Sequence, residues 1–67
     1  MSLVRKQELT KARIEQGLSM LELAKMTGLS PSSISRIERG GSTGAKSGKK
    51  IAMALGREIF DIFELRD

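Results

Sequence analysis

From Gly17 to Gly40 the chain reads GLSMLELAKMTGLSPSSISRIERG, a stretch with two helix starts separated by a glycine. Ser19 stands three residues before Glu22, with Leu18 ahead of it and Leu23 four residues after, so a capping box and a hydrophobic staple coincide. The spacing predicts a helix beginning there. Ser30 is a second N-cap, followed by Pro31 at the first helical position, where an N–H would be unbonded in any case; Leu29 and Ile34 can close a second staple. Between the two starts, Gly28 stands where the first helix must stop and turn, a position that favours positive φ. The small Ala24 lets the two helices cross closely, and Ile34 and Ile37 lie one turn apart on the inner face of the second. Its outer face is Ser32, Ser33, Ser35, Arg36 and Arg39, polar and with two cations.

Outward from this unit, Arg5 to Gln16 carries Leu9 and Ala12 at helical spacing among good helix formers, with Gly17 as its stop. Gly40 to Gly44 reads as a flexible loop, after which Ser47 can cap a helix running to Leu55 and ended by Gly56. Ile59 to Leu65 places Ile59, Ile62 and Phe63 on one side and reads as a fifth helix. No segment alternates over any length, so no sheet is expected. The expectation is an all-α single domain over residues 1–67, in which helices two and three form a helix-turn-helix. Its core is expected to be Leu9, Ala12, Leu18, Leu23, Ala24, Met26, Leu29, Ile34, Ile37, Ile51, Ala54, Leu55, Ile59, Ile62 and Phe63. Met1 to Leu3 can include vector-derived residues.

Sixty-seven residues suffice for one domain, of a size that buries about 60% of its unfolded-chain surface and is marginal in stability. There is no cysteine and no histidine, so neither disulfides nor the commonest metal ligands and general bases are to hand. No segment approaches the ~20 apolar residues that span a bilayer, and no signal-peptide core opens the chain. The net charge is +4, and its location says more than its size. Between Arg36 and Lys50 five basic residues face Glu38 alone, while the rest of the chain carries seven of each sign. Clustered basic charge beside a helix-turn-helix is an electrostatic footprint for phosphate.

The pattern GLSxxELAxxxGLSxSSISRIERG resembles the Cro and phage-repressor (xenobiotic-response-element type) helix-turn-helix family, and the resemblance extends from about Leu9 to Leu65. It implies a compact five-helix lambda-repressor-like DNA-binding domain and a transcriptional regulator, a repressor, in a bacterial or phage cytoplasmic setting. It further implies operator DNA bound by a homodimer, one helix beginning at Ser30 reading each half-site, about 34 Å apart. Arg36 is the strongest candidate base reader, because a guanidinium can grip guanine O6 and N7 together. Ser32 and Ser33 match positions that face bases or phosphates, and small hydroxyls there discriminate weakly. Pro31 offers only an apolar contact where relatives place a polar reader. Met20 stands where relatives carry a glutamine that holds a phosphate; methionine cannot donate, so the contact falls to the helix amides nearby. Ser30, Arg39, Thr43, Lys46, Ser47 and Lys49 are the remaining candidates for the DNA backbone. Arg13 and Glu38 match a pair that forms a partly buried salt bridge in the family. Phe60 matches a position used in dimer contacts and is the dimer-interface candidate.

The segment Gly40 to Lys50, GGSTGAKSGKK, fails as a phosphate-cradling P-loop: the glycine required five residues before Gly48 is Thr43, and no strand precedes it. No catalytic residue, cofactor, metal ion or small-molecule ligand is expected, the acidic residues being spread as surface partners and the helices too few for a usual pocket. Two rival readings are an antitoxin that meets a protein partner through Met20 and Phe60, and a restriction-modification controller protein that shares the DNA chemistry.

Overall fold

The Ser19 hydroxyl accepts the Glu22 N–H at 3.0 Å while the Glu22 carboxylate accepts the Ser19 N–H at 2.8 Å, so α2 (Met20–Thr27) starts on a complete capping box. Ser30 accepts the Ser33 N–H at 3.1 Å and Pro31 opens α3 (Pro31–Glu38). The turn between them passes through Gly28 at φ 74°, where its N–H closes back on Ala24 O at 2.9 Å; any residue with a Cβ would be strained there. The computed structural model describes residues 1–67. Around this pair stand α1 (Gln7–Glu15), α4 (Ala45–Leu55) and the single-turn α5 (Ile59–Ile62), with β1 (Ser2–Arg5) and β2 (Phe63–Arg66) at the two ends of the chain. No helix is long and apolar enough to cross a membrane.

Leu9, Ala12, Leu23, Ala24, Ile34, Ile37, Ile51, Leu55, Ile62 and Phe63 are buried together, with Leu18, Leu29, Ala54 and Ile59 partly buried against them. Three core assignments change. Met26 is exposed, because α2 turns the Leu23, Ala24 and Thr27 face inward and leaves Met26 outside it. Ala52 and Leu3 are buried and were not expected to be. Leu3 fits a gap that only glycine leaves: a Cβ on Gly48 would lie 2.5 Å from Leu3 Cδ1. Leu3 thus belongs to the core, whereas Met1 is exposed.

The expectation of no sheet is corrected by β1 and β2, which pair antiparallel with Ser2 opposite Arg66 and Arg5 opposite Phe63. Arg5 consequently lies in a strand and α1 begins at Gln7, later than the spacing predicts. The fifth helix is cut to Ile59–Ile62, since Phe63 adopts φ −129° and ψ 155° and enters β2. Four-residue strands at opposite ends of a chain show too little alternation to register as period two. Ser47 does not cap α4. Gly44 is the N-cap, without a side-chain bond, and Ser47 lies in the first turn. At the other end of α4 the Leu55 carbonyl is satisfied by Nε2 of Gln16, the C-cap residue of α1, at 2.6 Å.

Leu3→Ala empties the space above Gly48 and should lower the unfolding free energy by about 2 to 5 kcal/mol in a urea titration. A loss under about 1 kcal/mol would remove the N-terminal strand from the core.

Candidate nucleic-acid interface

With Ile34 and Ile37 buried, α3 turns the opposite side to solvent, where Ser32, Arg36 and Arg39 stand at positions i, i+4 and i+7 and are all exposed. They form one polar stripe carrying two positive charges. Ser33 sits beside the stripe rather than on it: half-buried, its hydroxyl accepts from Ser30 Oγ at 2.9 Å as part of the cap. Ser30 is itself taken up by capping, with Ser32 Oγ 3.4 Å away.

Arg36 is more constrained than a free surface arginine. Its Nη1 donates to Ser42 O at 2.6 Å, and its carbonyl accepts the Gly41 N–H at 2.9 Å. The following loop folds directly onto the side chain, so that a Cβ on Gly41 would come within 2.8 Å of Arg36 Cγ and 2.9 Å of Arg36 O. One guanidinium donor is engaged, and others of the five remain to grip an acceptor pair. Gly41 therefore positions Arg36, a role that no composition signal separates from ordinary loop flexibility.

The flexible-loop expectation for Gly40 to Gly44 is corrected by the same bonds and by two more. Leu3 N–H donates to Thr43 O and Thr43 N–H donates to Leu3 O, each at 2.9 Å, so β1 holds the loop from its far side. Thr43 is buried, with its N–H committed to that bridge. Its hydroxyl makes no hydrogen bond within the fold and is what Thr43 retains as a backbone-contact candidate. Beyond it, the first intrahelical bond of α4 is Gly48 N–H to Gly44 O at 3.0 Å, which leaves the Ala45, Lys46 and Ser47 amides pointing out of the helix start. Lys46 and Lys49 are exposed there and Ser47 is half-buried. Positive dipole, free amides and lysines coincide at one helix end.

At the start of α2 the capping box occupies the Ser19 and Glu22 amides, and the Met20 and Leu21 amides stay free. Met20 is exposed at that end, with a thioether that accepts weakly and donates nothing. The Ser19 N–H, then the Ser19 hydroxyl, hold the Glu22 carboxyl below its ordinary value of 4.5.

Behind the stripe, Arg13 reaches from α1 to the end of α3. Its Nε donates to Glu38 Oε2 at 2.6 Å and its Nη2 to Glu38 Oε1 at 3.2 Å, while Thr10 Oγ1 donates to Glu38 Oε1 at 3.0 Å and Arg13 Nη1 to Leu18 O at 2.7 Å. Phe60 is the second residue of the last helix, 62% exposed. The structure thus gathers Ser32, Arg36 and Arg39 on one helix face and Lys46, Ser47 and Lys49 at the next helix start. Arg13 and Glu38 sit beneath as scaffold.

The helix-turn-helix family profile matches residues 9–62. Among solved structures, the chain is similar to the one described as the master regulator for biofilm formation SinR in complex with DNA, with 28% identity and a TM-score of 0.74. That likeness covers 81% of this chain and 89% of the other. No curated protein matches the chain by sequence.

Because Glu22 has a lowered pKa in the folded chain, its capping box contributes stability that is fully present above the ordinary value of 4.5 and is lost as pH falls through the lowered one. Glu22→Gln should flatten that part of the stability profile in acid, read by thermal unfolding at a series of pH values. An unchanged acid profile would remove the carboxylate from the cap.

Proposed function

This chain belongs to the Cro/C1-type helix-turn-helix family, and from that premise we propose that it is a sequence-specific DNA-binding transcription regulator, a repressor that binds operator DNA as a homodimer. The observation that carries this reading is the exposed stripe Ser32, Arg36 and Arg39 on α3, set beside the basic, amide-rich start of α4. In this reading α3 enters the major groove, Arg36 grips a guanine edge through the donors left free by Ser42, and Ser32 adds a weak hydroxyl contact. Ser33 contributes only through the proton its hydroxyl retains.

Arg39, Lys46 and Lys49 meet phosphates, together with the free amides of α4 and those of α2 beside Met20. These contacts are indifferent to sequence and supply most of the affinity, whereas Arg36 supplies most of the discrimination. A second copy is needed because one arginine discriminates too little: a good bidentate pair is worth about 1 to 3 kcal/mol against the wrong base. Two half-sites double that margin. The similar SinR structure is a complex with DNA, which supports the same reading.

Selection of bound duplexes from a random pool should return paired, inverted half-sites, and Arg36→Ala should flatten the preference at one base per half-site by about 1 to 3 kcal/mol. If each copy neutralises about four phosphates, log K should fall against log salt with a slope near −7 for the dimer, and Lys46→Ala should reduce that slope by about two. Salt-insensitive binding, or equal affinity for selected and random duplex, would overturn the proposal.

A further inference from the structure

β2 is the open edge of the small sheet. β1 is flanked by β2 on one side and by the Thr43 bridge on the other, whereas β2 pairs with β1 alone. Antiparallel neighbours alternate between residue pairs that exchange both backbone bonds and pairs that exchange none. Leu3 commits its N–H and C=O to Thr43, on the side away from β2, and the Lys6 N–H bonds Ile62 O at 2.8 Å. The bonded pairs are therefore Ser2 with Arg66 and Val4 with Glu64, and Leu3 with Leu65 is an unbonded pair. Leu65 accordingly directs its N–H and C=O outward, at the open edge. Its side chain shares a face with that of Leu3. At 52% exposure it joins Met1, Ile59 and Phe60 around an apolar groove of about 290 Å³.

We propose that β2 is the seam of the homodimer, pairing antiparallel with β2 of a second copy about a two-fold axis through Leu65. This rests on the dimeric reading above and states where that dimer joins. In the register centred on Leu65, the outward N–H and C=O of the two Leu65 residues bond each other, and no bond to β1 is disturbed. Glu64 then stands opposite Arg66 of the partner subunit, and Arg66 opposite the partner's Glu64, giving two cross-strand pairs of opposite charge.

Other registers fail on the same groups. Centring on Glu64 or on Arg66 also leaves the bonds to β1 intact but puts like charges opposite each other. A shift by one residue opposes the apolar face to the charged one. Charges that blunt this edge toward an arbitrary strand thus select one particular partner, a second copy. Within a single copy the two already attract, Arg66 Nη2 donating to Glu64 Oε1 at 2.9 Å. Across the axis the two Leu65 side chains and their grooves abut, covering apolar surface that one copy leaves in water.

Sedimentation equilibrium on the free chain, and on its complex with a duplex returned by selection, tests the seam. Glu64→Lys and Arg66→Glu should each weaken the free dimer about tenfold or more. The double variant Glu64→Lys/Arg66→Glu should restore it, and unchanged circular dichroism spectra would show that all three fold. A dimer indifferent to both single changes overturns the seam and leaves the homodimer standing. A chain that is monomeric alone and binds one copy per duplex overturns both.

Discussion

Arg13 and Glu38 approach to 2.6 Å with side chains only 14% and 8% exposed, a depth at which either charge alone would be costly. Four hydrogen bonds make the pair tolerable there: the guanidinium meets both carboxylate oxygens, Thr10 supplies a further donor to Glu38, and the remaining arm of Arg13 caps the Leu18 carbonyl. Those bonds connect α1, the linker before α2 and the last residue of α3. In a chain whose core is a dozen side chains, hydrophobic contact alone is non-directional and leaves helices free to slide. The fork of Arg13 has a fixed geometry that a lysine would not reproduce. It sets how far α3 stands out from the rest of the molecule, and so sets the position of Ser32, Arg36 and Arg39.

The terminal strands complete what the ion pair begins. Leu3 locks over Gly48 on α4 and bonds both backbone groups of Thr43, so the loop after α3 is held from below while Gly41 and Ser42 hold Arg36 from above. The start of α4, with its free amides and lysines, is thereby fixed relative to α3. The net positive charge of the chain arises within residues 36–50, which run from the α3 face through this loop into the start of α4. The sheet is small, yet its inner strand shapes the loop proposed to face DNA and its outer strand carries the candidate seam between copies.

Much of this was legible in the sequence, and what was legible was local. Ser19 with Glu22, Gly28, and Ser30 with Pro31 each act within four residues, so spacing alone locates α2, its turn and α3. The exposed placement of Arg36 and Arg39 follows from the buried placement of Ile34 and Ile37. What escaped depends on distant partners. Ser2 meets Arg66 across almost the whole chain, and Phe63, at helical spacing from Ile59, gave no sign that the backbone straightens there. Gly44 caps α4 without a side-chain bond, so the nearest serine drew the assignment instead. Gly41 looked like slack, whereas it lies against Arg36, and the backbone of Thr43 is spent inside the fold on Leu3, which no local spacing announces.

A rigid α3, braced from behind by Arg13 and Glu38, is the surface proposed to meet DNA. Titrating the nitrogen-15-labelled chain with a selected duplex tests it most directly, because backbone amides and arginine Nε–H groups report contact and bracing in one experiment. The Ser32, Arg36, Arg39, Lys46 and Ser47 amides and the Arg36 Nε–H are expected to shift on binding, while the Arg13 Nε–H resonance stays where its bond to Glu38 places it. Shifts centred instead on Met26 and Met53, with the α3 face silent, would place the DNA on another surface.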